Sequence, residues 1–383
     1  VAEATDHPVP LRTIAREWGR IGVIGFGGPP AHLTLLRRLC VDQRGWMDEH
    51  DFEDAVATAN LLPGPASTQV ALYCAWRLRR LAGLLVGGAG FILPGLTAIL
   101  ALAALFLAGT PPRAVLGAAA GAGAAVPAVA LAAALALIPA SWHRAGTGGG
   151  RARWIVYAAL GGATAALSGR LLVFVILGAG LVETLVRARP GRPGFFPLLA
   201  AAAPATGGTL ALIWVALKVG ALSFGGGFVI IPLMQADAVS HYHWMTNSQF
   251  LTAVALGQVT PGPVVQTVAV VGYAEGGLPA GLLAALVAFT PSFLFVGLGA
   301  PHFERLRSAP RLRAFLAGAG PAACGAIAGS AIPLARALSH LWQLPVLALA
   351  LLVVLGLRRS SLVALLGAGA LGVVAALAGA PLR

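Results

Sequence analysis

The sequence predicts an all-α polytopic membrane protein made of two inverted-topology repeats, whose broken or re-entrant helices meet near the membrane midplane. Three observations carry this prediction: a composition suited to lipid, an internal duplication at a constant shift of 198 residues, and a basic-residue bias that reverses between the copies.

Composition sets the class. Of 383 residues, 58% are apolar and only 10% charged, and the mean hydropathy is +0.84. Such a chain cannot cover itself with a water-facing surface. Charge-free stretches at 81–112, 114–142, 171–182 and 278–301 alternate with short arginine clusters, the pattern of spanning helices about 20 residues long. The 50 glycines suit close helix packing in a bilayer. The alternating decads of a transmembrane barrel are absent.

The net charge of +13 comes from 26 Lys and Arg against 13 Asp and Glu, concentrated in the links between apolar stretches. Cytoplasmic anchoring explains that placement, with attraction of an anionic substrate as a secondary effect. Nucleic-acid binding is not expected, because no recognition motif or interleaved aromatic accompanies the charge. Cys40, Cys74 and Cys324 stand apart in the sequence and read as packing residues. The first 20 residues have no apolar core of a cleavable signal, so insertion is expected to rely on internal helices.

The duplication organises the chain. At the shift of 198, Phe26, Gly27 and Gly28 fall on Phe224, Gly225 and Gly226, Trp46-Met47 on Trp244-Met245, and Pro63-Gly64-Pro65 on Pro261-Gly262-Pro263. The expected division is 1–190 for the first repeat, 191–216 for a connecting transmembrane helix, and 217–383 for the second repeat. Arg37, Arg38, Arg44, Arg77, Arg79 and Arg80 flank the first PGP segment, whereas the equivalent second-half stretches hold no Lys or Arg. Conversely, Arg305, Arg307, Arg311 and Arg313 correspond to Arg113 alone.

Basic links face the cytoplasm, so the copies should lie upside down relative to one another. The N-terminus is then cytoplasmic and the C-terminus outside. Segments 22–36, 52–76, 220–234 and 250–273 should break within the membrane, beside about nine full crossings.

Proline removes an amide donor and glycine permits unusual dihedrals, so each PGP should end one half-helix and begin another. Irregular backbone at membrane depth is tolerated only against protein or a watery cavity, so the four breaks should line one site. A half-helix N-terminus offers free amides and a positive dipole end to an anion.

Around the breaks lie Asn60, Ser67, Thr68, Gln69, Ser223, Gln258, Thr260, Gln266 and Thr267, neutral groups able to donate to oxyanion oxygens. Lys218 lies in an apolar run, where charge is costly and usually functional, and Arg20 is its counterpart. Asp54, the acid closest to the first PGP, is the candidate for proton coupling or gating, together with Arg20. His32, His241 and His243 show no metal spacing and read as structural or interfacial.

At GFGGPPAHLTLLRR and WMDEHDFEDAVATANLLPGPASTQVA, and at their counterparts SFGGGFVIIPLMQ and WMTNSQFLTAVALGQVTPGPVVQTVAVVGY, the sequence resembles the chromate ion transporter family in its long, two-domain form. The resemblance implies secondary active export of chromate across a prokaryotic inner membrane, conferring chromate resistance, with sulfate as its mimic and no cofactor. It would place substrate handling at Gly27, Gly28, Pro63, Gly64, Pro65, Gln69, Gly225, Gly226, Pro261, Gly262, Pro263 and Gln266. Asn60 departs from the family's usual glutamine, which Gln258 keeps.

Two other readings remain. One is a transporter of sulfate or another oxyanion. The other is an intramembrane lipid-phosphate enzyme, for which Asp237 and Glu275 lie too near the predicted links to serve as paired carboxylates.

Overall fold

The computed structural model describes residues 9–60, 62, 64–107, 111–167, 169, 171–187, 207–223, 227–300 and 309–382, and every regular element among them is helical. Helix α1 (Leu11–Ile24) leads through a break at 25–28 into α2 (Pro29–Arg37), which winds into a π-helical turn at Arg38–Gln43. The carboxylate of Asp48 accepts from the Asp51 amide and starts α3 (Glu49–Ala59), satisfying one of the orphan donors of the first turn. Then follow α4 (Ala66–Phe106), α5 (Arg113–Ala145), α6 (Gly149–Leu167) and α7 (Leu172–Arg187).

The second half runs in the same order. It comprises α8 (Thr209–Ala221), α9 (Ile230–Gln235) with a π-helical turn at Ala236–His241, α10 (Asn247–Val259), α11 (Thr267–Gly299), α12 (Pro310–Arg336), α13 (Gln343–Leu351) and α14 (Ser361–Leu377).

Local geometry recurs at the sequence shift. Gly45 has φ 57° and His243 φ 55°. The amides of Trp46 and Trp244 each donate over 2.8 Å, to the carbonyls of Cys40 and Ala238. Thr246 caps α10 as Asp48 caps α3, here with Gln249 reaching back to complete a capping box.

Neither α4 nor α11 is one straight rod. The first is interrupted at Arg79 and Arg80 (φ −145° and 49°), the second at Gly276 and Gly277 (φ −149° and 68°). Each is therefore a short limb followed by a long one. Arg77, at the end of the first short limb, reaches Asp51 in the first turn of α3 over 2.6 Å. The outer ends of α3 and of the short limb of α4 thus lie together.

Four of the described helices are long and apolar enough to cross a membrane: Ala66–Phe106, Arg113–Ala145, Val264–Gly299 and Pro310–Arg336. Leu278, Leu282, Leu286, Leu294 and Leu298 form an exposed stripe along α11. An apolar surface that continuous belongs against lipid. The chain is an all-α, multi-pass membrane protein. Helices α7, α8 and α14 have 16, 13 and 17 residues, shorter than the roughly 20 of a straight crossing. The expected connecting helix lies mostly outside the described residues.

Small residues set the packing. Gly22 of α1 meets α4 at the Gly90 carbonyl, and Gly220 of α8 meets α11, where a Cβ would fall 2.0 Å from the Ala288 carbonyl oxygen. Helices α6 and α7 pack chiefly against α12 of the other half, while α13 and α14 pack against α5. A Cβ at Gly161 would sit 2.0 Å from the Ala322 oxygen, and one at Gly121 would sit 2.1 Å from that of Ala368. The expected division at 190 and 217 separates stretches of sequence, while the packing interlocks across it.

Candidate anion site at the helix breaks

The helix breaks converge. The carbonyl of Gly25, in the first FGG break, accepts from the amide of Gly262 in the second PGP turn over 3.0 Å. The same oxygen accepts from His32 Nε2 over 2.8 Å, and His32 Nδ1 lies 3.3 Å from Ser67 Oγ. A neutral ring satisfies both contacts, donating to Gly25 and accepting from Ser67. His32 is fully buried, with Phe91 edge-on at 5.0 Å. The sequence reading of His32 as merely structural or interfacial missed that it ties the FGG break to the start of α4.

Each PGP turn also abuts the long helix of the other half. A Cβ at Gly64 would sit 3.1 Å from Ser292 Oγ on α11, and one at Gly95 on α4 would sit 2.0 Å from the Pro261 carbonyl oxygen. Val264 packs between the two FGG regions, 3.9 Å from a Cβ at Gly28 and 3.6 Å from one at Gly227. Gly64 and Gly262 have φ of 121° and 97°, a region that L side chains enter only with strain. Pro65 and Pro263 follow as the residues that start the next helical turns. The first amides of α4 are left without intrahelical partners.

The neutral polar residues divide by what their side chains already do. Thr260 Oγ1 donates to the Leu256 carbonyl over 2.7 Å and Thr267 Oγ1 to that of Val264 over 2.8 Å. Both hydroxyl protons are thus engaged by the backbone. Gln266 Nε2 donates to the Ile92 carbonyl over 3.0 Å, leaving its Oε1 unpartnered.

Thr68 Oγ1, Ser223 Oγ, Ser292 Oγ and Gln258 Nε2 are buried with no hydrogen-bond partner. Unsatisfied buried groups are rare and call for an explanation. Ser292 escaped the sequence reading because it lies inside the apolar 278–301 run. Gln69 is buried beside Gly64, Gly27 is exposed, and Asn60 lines a cavity of about 370 Å³. Pro63, Gly225 and Gly226 lie outside the described residues.

The charged candidates separate. Lys218 forms an ion pair with Asp237, their side chains only 10% and 13% exposed. The cation that looked isolated in sequence is neutralised from the π-helical turn 19 residues on. Arg20, its counterpart, is exposed on α1. Asp54 stands 3.7 Å from His50, while Asp51 and Glu49 pair with Arg77 and Arg37. Cys40 and Cys74 are both free thiols buried in the core. Among the described residues no cluster could hold a metal ion.

The chromate transporter family model matches residues 12–184 and 210–373. The chain belongs to the chromate transporter family. It is 33% identical over 350 residues to the chromate transport protein of Cupriavidus metallidurans, covering 88% of this chain and 86% of that one. It is 32% identical to the chromate transport protein of Pseudomonas aeruginosa, covering 87% and 83%, and 30% identical to a probable chromate transport protein of Synechococcus elongatus, covering 87% of each. No solved structure matches it. Both matched stretches contain an FGG and a PGP motif, so this family's model spans the breaks described above. Relatives named as transport proteins point to a transporter rather than an enzyme.

Proposed function

We propose that this chromate transporter family member is a secondary active exporter of chromate, a tetrahedral dianion, which it carries across the prokaryotic inner membrane by alternating access between the repeats. The observation that carries the reading is that four donors, on Thr68, Ser223, Gln258 and Ser292, are buried without a partner, with Ser292 against the first PGP turn and each PGP turn touching the opposite half. Anion oxygens would complete those hydrogen bonds, and the free amides at the start of α4 add a positive dipole end. Gly27, Gly28, Asn60, Gly64, Pro65, Ser67, Gln69, Pro261, Gly262, Pro263 and Gln266 build or line the surrounding breaks, with Arg20 and Asp54 assigned to coupling or gating.

An inside-negative potential favours outward movement of a dianion, by about 2.3 kcal/mol per charge per 100 mV. The potential alone thus supplies much of the drive for export, and export confers resistance. The test is chromate uptake into everted membrane vesicles. Uptake that rises with the potential supports the reading, and uptake indifferent to the protein or the potential refutes it. Sulfate competition in the same vesicles ranks the oxyanions, because tetrahedral dianions present the same geometry to hydroxyl and amide donors.

A further inference from the structure

The two halves are alike in sequence but unequally closed. Leu251 of α10 packs onto α5, its Cβ 3.2 Å from where a Cβ at Gly123 would sit. The corresponding α3 stands off from α12 and leaves the cavity of about 370 Å³, walled by Ala57 and Asn60 of α3, Leu137 and Arg144 of α5, and Gly320 and Cys324 of α12, among others. The guanidinium of Arg144 reaches over Gly320, 3.7 Å from where a Cβ there would lie.

No acid among the described residues forms an ion pair with Arg144. Glu183, which belongs to the adjoining hydrogen-bond network, is held by Arg153 at 2.7 and 3.0 Å, by Arg187 at 2.5 Å and by Tyr157 at 3.2 Å. Arg187 in turn donates to the backbone carbonyls of Arg144 and Ala145. Arg144 thus brings its charge to the edge of the cavity from an exposed position, with no acid paired to it among the described residues. Asn60, which ends α3 at the approach to the first PGP turn, occupies the same cavity.

We propose that this cavity is the vestibule through which a tetrahedral oxyanion reaches the first PGP turn, and that Arg144 is its recruiting cation. The proposal rests on the transport reading above and deepens it. A positive group among apolar walls focuses the field and raises the local anion concentration. Pro127 and Pro139 of α5 correspond to Pro321 and Pro333 of α12, which sets Leu338 against Arg144; the last turn of α12 carries its own arginine, Arg336, on a separate cavity with Pro333 and Gln235. The long limb of α4 leads away from Arg80 and α5 returns, so Arg144 and Arg80 share a side. By the basic-residue bias that side is the cytoplasm, where an exporter must load.

The test uses the full chain in everted vesicles. R144Q should raise the KM for chromate about tenfold or more, leave the rate at saturation unchanged and flatten the dependence on ionic strength; R144K should recover most of the affinity. An unchanged KM in R144Q, with wild-type transport intact, overturns the vestibule alone. Absence of transport by the wild type refutes the transport reading instead.

A second measurement does not depend on turnover. Ala57→Cys places a thiol on the cavity wall, and an anionic thiol reagent should label it several-fold faster with Arg144 present than in A57C/R144Q. Sulfate should slow the labelling. Equal rates in both backgrounds, or no protection by sulfate, contradict the proposal.

Discussion

The amide of Gly262 donates to the carbonyl of Gly25 over 3.0 Å, joining the second PGP turn to the first FGG break across the two halves of the chain. A displacement of either break is therefore felt by the other half, which is what a site shared between repeats requires. Four predictions follow from the geometry around this contact.

Gly262 has φ 97°, and a Cβ there would lie 2.8 Å from Gln266 Nε2. Gly262→Ala should cost roughly 1–3 kcal/mol in backbone strain and push Gln266 off the Ile92 carbonyl. Chromate uptake should fall at least tenfold while the protein still inserts and purifies. Uptake at the wild-type rate would show that the turn's geometry is dispensable.

The hydroxyls of Thr68 and Ser292 are buried without partners, so removing them from the empty protein should leave stability unchanged or improved. Thr68→Ala and Ser292→Ala should nonetheless weaken anion affinity, each by about 1.5–3 kcal/mol if the lost bond is to a charged group. Thr260→Ala, whose hydroxyl serves the Leu256 carbonyl, should transport normally. Binding titrations and thermal unfolding in detergent on all three variants separate the roles.

His32 links Gly25 and Ser67 at the buried junction of two breaks. His32→Ala removes the partner of Ser67 Oγ and leaves the Gly25 carbonyl with the Gly262 amide alone, which should cost about 1–3 kcal/mol and lower the unfolding temperature. If H32A melts like the wild type, the ring is not the tie that the geometry indicates.

Lys218 and Asp237 form a buried pair. Removing either partner alone, as in Lys218→Met or Asp237→Leu, should destabilise by about 3–5 kcal/mol, because a charge is left buried; the double replacement K218M/D237L should recover most of that loss. Transport by the refolded double variant would mark the pair as structural. A stable double variant without transport would return Lys218 to the substrate path.

Much of this architecture was legible in the sequence because proline and glycine act locally. The paired PGP motifs lie just beyond the ends of α3 and α10, where proline and glycine interrupt a helix. The engagement of individual side chains was not legible. Thr260 and Thr68 look alike as letters, yet one hydroxyl lies within reach of a helical carbonyl four residues back and the other does not. At the constant shift Gln266 falls on Thr68 and Thr267 on Gln69, so equal turns present different groups. The exchange of α6 and α7 onto α12 was hidden as well, because contacts between glycine and alanine carry almost no pattern in a chain so rich in both. Ser292 and Arg144 needed the third dimension, since nothing near them in sequence announces a site.

The central claim is that a tetrahedral oxyanion is held between the two PGP turns. The most direct measurement is a structure of the full chain with chromate or sulfate bound. The account predicts anion density within hydrogen-bonding reach of Thr68 or Ser292, beside Gly64 and Gly262. An ordered anion bound only at a position remote from both turns would contradict it.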